Sequence, residues 1–442
     1  MPTDPAPGTT LPDPLTHQKG TIVHSDLVVI GLGYVGLPLA LEACRSGLTV
    51  TGLDRDAATV AALGDGRSHI DDIDDAAVAG MVAAGFTATT DERVIGGAAT
   101  VVVCVPTPLS EHGGPELAMV EDACAAIGRN LRPGTLVVLE STTYPGTTEE
   151  VVRPILERSG LTAGTDFHLA FSPERVDPGN KHYGIRNTPK IVGGYTPDCT
   201  AAAAAFYGKF VDNVVQAAGT REAEMAKLIE NTYRHVNIAL VNEMAVFCHE
   251  LGIDLWDAIS CAATKPFGFQ AFRPGPGVGG HCIPIDPNYL AHKVRTLGYP
   301  FRMVELAQEI NTRMPRYVVE RAQHLLDRAG RTLGGAGVLL LGVTYKADIA
   351  DQRETSARHV VRRLRTLGAD VSYHDPYVPA WEVDGIPVPA VTESLPEALE
   401  RADLTILLQQ HRAYDIGLVV SHARLLLDTR GGARPQAHVE RL

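Results

Sequence analysis

The chain has 442 residues, 45% of them apolar, and a formal net charge of −13 at neutral pH. That length and apolar content suit about three domains with sizeable cores and exclude a disordered chain as the default. The acidic balance, with a sequence pI near 5.6, excludes general binding to nucleic acid or an anionic membrane, but not a small polyanionic substrate held by a local basic cluster.

In chain order, residues 1–24 are rich in Pro, Thr and Asp and lack the basic-then-apolar pattern of a signal peptide, so they read as a mobile tail. Residues 27–30 form a short apolar run ending at Gly31. Further runs follow at 48–54, ending in an acid, at 100–105 and at 136–139, with alanine-rich helical stretches between them. This alternation predicts a parallel, doubly wound sheet over residues 25–212. Residues 221–251 contain neither Gly nor Pro. They predict one helix of about 45 Å, long enough to link domains or pair with another subunit, within a helical central domain at 213–328. Strand-like runs return at 337–343, 369–373 and 404–408, giving a second α/β domain at 329–442. The expected fold class is therefore α/β: two Rossmann-like domains joined by a helical centre. Seven cysteines without a Cys-x-x-Cys pair suit a reducing compartment. No apolar run approaches the ~20 residues of a membrane span, so a cytoplasmic protein is expected.

Gly31-Leu-Gly33-Tyr34-Val35-Gly36 follows a predicted strand and opens a predicted helix, and Asp54 closes the next strand. Here glycines allow the tight turn, a helix N-terminus faces a pyrophosphate, and the acid takes ribose hydroxyls. An acid at that place disfavours the extra phosphate of NADP, which points to NAD, although the adjacent Arg55 pulls the other way. The alternative is a tight turn that binds nothing.

Far downstream lies Phe272-Arg273-Pro-Gly-Pro-Gly-Val-Gly279-Gly-His-Cys282-Ile-Pro-Ile-Asp286. Glycines let a backbone approach a ligand closely, and a thiol presented there suggests covalent capture of a substrate. On its own a free cysteine more often fills a small apolar space. Its glycine flanks and the acid after it favour the nucleophile. Lys227 and Asn231, one helical turn apart, share a face; read from the helix alone they also fit a solvated surface. Cys44, Cys104, Cys124, Cys199, Cys248 and Cys261 read as structural.

Eight blocks, in order, resemble the UDP-glucose/GDP-mannose dehydrogenase family over residues 28–430. They are Gly-Leu-Gly-Tyr-Val-Gly-Leu-Pro at 31–38, Val-Pro-Thr-Pro at 105–108, Ser141-Thr142 before Pro145-Gly146, Ser-Pro-Glu-Arg at 172–175, Lys227-Leu-Ile-Glu-Asn231-Thr-Tyr-Arg234, the cysteine loop, Tyr345-Lys-Ala-Asp348 and Asp428-Thr-Arg430.

The resemblance implies a nucleotide-sugar 6-dehydrogenase that uses NAD and forms a homodimer or larger homo-oligomer. It assigns the nucleophile to Cys282. Lys227 supplies positive charge for thiolate and oxyanions, with Asn231 donating to the same oxygen. Asp286 works with the lysine and a water in proton removal. Glu174 activates water for thioester hydrolysis, and Thr142 stands near that water and the nicotinamide. Thr107 and Arg353 join the cofactor site. Arg175, Arg234, Arg273, Gly279 and Lys346 join Glu174, Lys227 and Asn231 around the UDP-sugar. Arg273 also fits a surface or subunit contact. The third domain serves mainly the nucleotide, so its own glycine-containing strand need not hold a second NAD.

Departures from the family bear on the sugar. Its UDP-glucose branch commonly has lysine just before the acid that follows the cysteine, whereas Ile285 stands here. Lys265-Pro-Phe-Gly-Phe269 resembles the branch that oxidises UDP-N-acetylhexosamines. UDP-N-acetylglucosamine is the expected substrate, with UDP-glucose and UDP-N-acetylmannosamine as alternatives. A two-electron β-hydroxyacid dehydrogenase would have no need for Cys282 or Glu174, and a non-catalytic NAD-binding sensor would be indifferent to losing the thiol.

Overall fold

A computed structural model of the chain describes residues 24–442 except 71–72, 110–113, 178, 181 and 281–282. The expected tail, but for its last residue, and Cys282 lie outside the described residues. The first domain is an eight-stranded sheet: β1 (Ser25–Ile30), β2 (Val50–Leu53), β3 (Thr87–Thr89), β4 (Ala98–Val103), β5 (Leu136–Leu139), β6 (His168–Phe171), β7 (Lys190–Gly194) and β8 (Val214–Gln216). Their order is β3-β2-β1-β4-β5-β6-β7-β8, parallel except where β6 meets β7. Alternate residues of β1 serve different cores: Leu27 and Val29 join one cluster, Val28 and Ile30 the other. Both faces are covered, which is why the strand sequence is continuously apolar. The order reverses beside β1, so the crevice at the carboxyl ends of β1 and β4 is where a doubly wound sheet binds ligand.

The predicted long helix spans Thr220–Glu250, 31 residues, or about 46 Å. It packs along a second long helix, Arg302–Arg328, which contains Pro315. A third domain follows: β9 (Gly337–Leu341), β10 (Asp370–His374), a two-strand hairpin of β11 (Glu382–Val383) and β12 (Ile386–Pro387), then β13 (Leu404–Leu407), β14 (Leu426–Asp428) and β15 (Val439–Arg441). Its parallel sheet runs β10-β9-β13-β14-β15. Among the described residues no helix is long and apolar enough to cross a membrane.

Candidate active site

The glycine loop divides its three glycines by task. Gly31 has φ +89°, and a side chain there would meet the Cys104 carbonyl oxygen at 2.9 Å. Gly36 opens the helix Gly36–Arg45, and a side chain there would run into the Gly31 carbonyl. Gly33 instead faces open space, with nothing within 4 Å of where a Cβ would stand. That opening at a helix N-terminus fits a pyrophosphate. Asp54 accepts Leu32 N–H and Asp56 N–H, both at 2.9 Å, and remains half-exposed at the end of β2, as a ribose acceptor must. These residues fit an NAD. Arg55 is exposed.

Beside this loop, the segments after β4 and β5 are tied together. Thr107 Oγ1 donates to the Thr142 carbonyl at 2.7 Å, and Ser141 Oγ to the Val105 carbonyl at 2.7 Å. The turn beyond them is held from the central helix. Glu224, fully buried, accepts Gly146 N–H at 2.6 Å, Thr148 N–H at 2.9 Å and Thr148 Oγ1 at 2.7 Å. Burial outweighs those bonds and pushes its carboxyl up to about 7.

Lys227 and Asn231 lie on the same face as Glu224, one and two turns further along. The solvated-surface alternative is excluded: Lys227 is 8% and Asn231 7% exposed. Lys227 Nζ donates to the Glu174 carbonyl at 2.5 Å, fixing the Ser-Pro-Glu-Arg turn against the helix. The Glu174 carboxylate accepts the Val176 N–H. Asn231 Nδ2 donates to Asp286 Oδ2 at 2.5 Å. Asp286, 2% exposed, begins the helix Asp286–Thr296. Burial raises its carboxyl to about 6, against the opposing effects of the Lys227 charge and the Asn231 hydrogen bond. A lysine, an amide and a carboxylate titrating near neutrality, all withdrawn from water, can move a proton from an alcohol and stabilise an oxyanion.

The third domain closes over both groups through one segment. Lys346 Nζ reaches Asp177 Oδ1 at 2.5 Å. Burial alone would raise the Asp177 carboxyl, but its bonds to Lys346 and Asn180 bring it below the usual range; the positive charge of the exposed Arg234 acts in the same direction. Arg353 pairs with Asp351 at 2.7 Å and lies 5.1 Å from the centre of the Tyr34 ring in the glycine loop. Tyr345 and Glu354 pack against Gly279 and Gly280, and Gly280 N–H donates to the Glu354 carbonyl at 3.3 Å.

Two expected site arginines are committed elsewhere. Arg175 donates to the Pro189 carbonyl at 2.5 Å and pairs with Glu230 at 2.7 Å. Arg273 donates to the Trp256 carbonyl at 2.9 Å and Ser260 Oγ at 3.1 Å. It lines a cavity of about 660 Å³ between the central and third domains with Arg430, Arg434 and Arg441.

The sequence reading missed a polar extension of the central-helix face. His235 is 1%, Asn242 0% and Asn311 4% exposed, and burial pulls the His235 ring down to about 4, leaving it neutral. The available signal was spacing: Asn231, His235 and Asn242 recur at multiples of the helical turn. A second missed group lies below the Glu174 turn, where buried Lys190 pairs with buried Glu140 at 2.9 Å and Tyr207 Oη donates to the same carboxylate.

The UDP-glucose/GDP-mannose dehydrogenase family matches in three parts: its NAD binding domain at residues 25–211, its central domain at 221–313 and its UDP binding domain at 339–435. A UDP-N-acetyl-D-glucosamine 6-dehydrogenase of Pseudomonas aeruginosa is 37% identical over 80% of this chain and 83% of its own. An NDP-N-acetyl-D-galactosaminuronic acid dehydrogenase of Ralstonia solanacearum is 35% identical over 91% and 95%. The solved structure of a UDP-D-ManNAc dehydrogenase from Pyrococcus horikoshii superposes with a TM-score of 0.84 at 31% identity, covering 94% of this chain and 98% of that one.

Proposed function

We infer the function from one premise: the chain belongs to the UDP-glucose/GDP-mannose dehydrogenase family and is an NAD-dependent nucleotide-sugar dehydrogenase. We propose that it oxidises the 6-hydroxymethyl group of a UDP-N-acetylhexosamine, UDP-N-acetylglucosamine first among them, to the uronic acid. The observation that carries this reading is the buried Lys227–Asn231–Asp286 group beside the Glu174 turn and the cysteine loop. Support for an acetamido sugar comes from residues 265–269, from Ile285, and from the 2-acetamido sugars in the names of the three relatives described above.

NAD supplies the hydride acceptor, twice per sugar. Asp286, through a water, takes the hydroxyl proton, and Lys227 and Asn231 stabilise the oxygen as the alcohol becomes an aldehyde. The Cys282 thiolate then adds to the aldehyde carbon. The resulting tetrahedral thiohemiacetal loses hydride far more readily than a free aldehyde and becomes a thioester. Glu174 directs water onto that carbonyl, the carbon–sulfur bond breaks, and the acid leaves with the thiol restored. Arg430, Arg434 and Arg441 in the cavity, which Asp254 and Asp257 also line, suit the nucleotide's phosphates, while Arg273 holds the cavity wall through Trp256 and Ser260.

Along the central helix, Ile229, Tyr233, Leu240 and Phe247 are 46–55% exposed in a stripe away from the catalytic face. Covering that stripe with a second copy gives a homodimer. The product would serve polysaccharide synthesis in the cytoplasm.

The test is NADH formed per mole of limiting UDP-N-acetylglucosamine with NAD in excess. Two supports the four-electron reaction and the acetamido sugar together. One would mean that an aldehyde or ketone is released. None, from folded protein, would send the assignment to UDP-glucose or the manno epimer, assayed in parallel. Cys282→Ala should abolish acid formation and keep UDP-sugar binding within a few fold; uronate at wild-type rates would refute the covalent step.

A further inference from the structure

The cysteine loop starts on an anchor that the mechanism above does not use. Asn242 is fully buried, and a buried amide is stable only with both ends satisfied. Its Oδ1 accepts the Gly275 N–H at 2.9 Å, and its Nδ2 donates to Asn311 Oδ1 at 2.9 Å. Asn311 sits on the neighbouring long helix, and its Nδ2 in turn donates to the His235 carbonyl at 3.3 Å. The backbone of Asn311 is used as well. Pro315 lacks the N–H that would normally bond the Asn311 carbonyl four residues back. Gly277, at φ +118°, passes over that carbonyl, where a side chain would stand 3.3 Å from the oxygen and 3.5 Å from Pro315 Cδ.

We propose that Asn242, braced by Asn311, is a positioning residue for the Cys282 nucleophile. It fixes the start of the loop to the same helix face that carries Lys227 and Asn231. The middle of the loop bonds through Gly280 to Glu354 of the third domain, and its far end bonds through Asp286 to Asn231, so Asn242 is the tie that holds the near end, before the thiol, in register with the helix of the catalytic lysine. A loop that slides by about an ångström costs a reaction on the order of 100-fold. The step affected is capture of the aldehyde, because the first oxidation needs no thiol. This rests on the reading of Cys282 as the nucleophile.

The experiment compares wild type, Asn242→Ala, Asn311→Ala and Cys282→Ala. It measures NADH per UDP-N-acetylglucosamine, steady-state constants, melting temperature and aldehyde trapped by a hydrazine. Asn242→Ala should lower kcat by about 10- to 100-fold with KM for the UDP-sugar within a few fold. Its NADH yield should fall from two towards one, with trapped aldehyde making up the difference. Asn311→Ala should do the same more weakly. Variants that melt lower yet still give two NADH and no trapped aldehyde would overturn the proposal and leave Asn242 purely structural. Acid formation by Cys282→Ala would instead overturn the nucleophile itself, so the two failures are distinguishable.

Discussion

In the first domain Gly31 N–H donates to the Leu53 carbonyl at 2.9 Å, and Asp54, just past β2, accepts Leu32 and Asp56 N–H at 2.9 Å each. In the third domain Gly342 N–H donates to the His374 carbonyl at 3.0 Å, and Asp375, just past β10, accepts Val343 N–H at 2.7 Å and Tyr377 N–H at 2.9 Å. The backbone plan is shared, but the space around it is not. Where the first loop has the open Gly33, the third has Thr344, 3% exposed. Where Gly36 starts a helix, Ala347 does not, and the next helix is Ala357–Thr366. Where Asp54 accepts backbone N–H groups, Asp375 is also bonded to His411 at 3.0 Å, with both of those side chains fully buried. The same strand, turn and acid thus leave an opening that fits a ligand once and form a sealed joint once. An open glycine and a helix N-terminus make the difference.

The largest expected effect breaks the cradle at its base. A methyl at Gly36 has nowhere to go except into the Gly31 carbonyl, so Gly36→Ala should cost about 3 kcal/mol or more and lower the melting temperature by about 10 °C. Gly33→Ala should leave melting almost unchanged and raise KM for NAD by about 10-fold, because its methyl stands only where a ligand would. Calorimetry and NAD titration of the pair check this. Unchanged NAD affinity in folded Gly33→Ala would remove the pyrophosphate from that turn.

The two acids should separate the same way. Asp375→Asn leaves His411 and two amides sharing a poorer acceptor, at a cost of about 2–3 kcal/mol, without change in KM for NAD. Asp54→Asn should do the reverse. A pH series adds a sign. Burial tends to raise the Asp375 carboxyl, but bonds from His411, Val343 and Tyr377 outweigh it and hold the group below its ordinary range. The native state therefore binds this proton less readily than the unfolded chain. The stabilisation is complete above about pH 4 to 5 and is lost as pH falls towards the depressed value. Denaturant melts of Asp375→Asn should show a shallower acid limb than wild type; equal slopes would mean that the carboxylate is not what seals the joint.

The first cradle was legible in the sequence because its demands are local: three glycines at fixed spacing, apolar runs on either side and an acid at a strand end. The helix 220–250 was legible because nothing interrupts it. The strands β6, β7 and β8 were not. β7 ends in Gly193 and Gly194, whose missing side chains make room for the Gly219 carbonyl and the Cys199 backbone, a tertiary reason with no periodicity of its own. The family blocks brought Lys227, Asn231, Asp286 and Glu174 onto one list, and the structure explains the company they keep through a single helix face. Asn242 and Asn311 fell outside that list because each is an ordinary polar residue in its own helix. Their meaning lies in a contact across 69 residues. Arg175 reads as a ligand residue by its place in a block, yet its guanidinium is engaged by Pro189 and Glu230.

The smallest expected effect joins the two compared regions. Arg353 carries the third domain onto the first loop by lying over the Tyr34 ring, while its other face is held by Asp351. With its side chain about half-exposed, such a contact contributes about 0.5–1 kcal/mol, or roughly a two- to five-fold change in affinity. Arg353→Lys keeps the charge but loses the planar fork that Asp351 holds. It should raise KM for NAD by about that factor, with melting temperature and kcat close to wild type. Tyr34→Leu should do the same, and the double variant should be no worse than either alone. Additive losses would mean that the two residues act on the cofactor separately, and that the third domain does not report to the cradle through this contact.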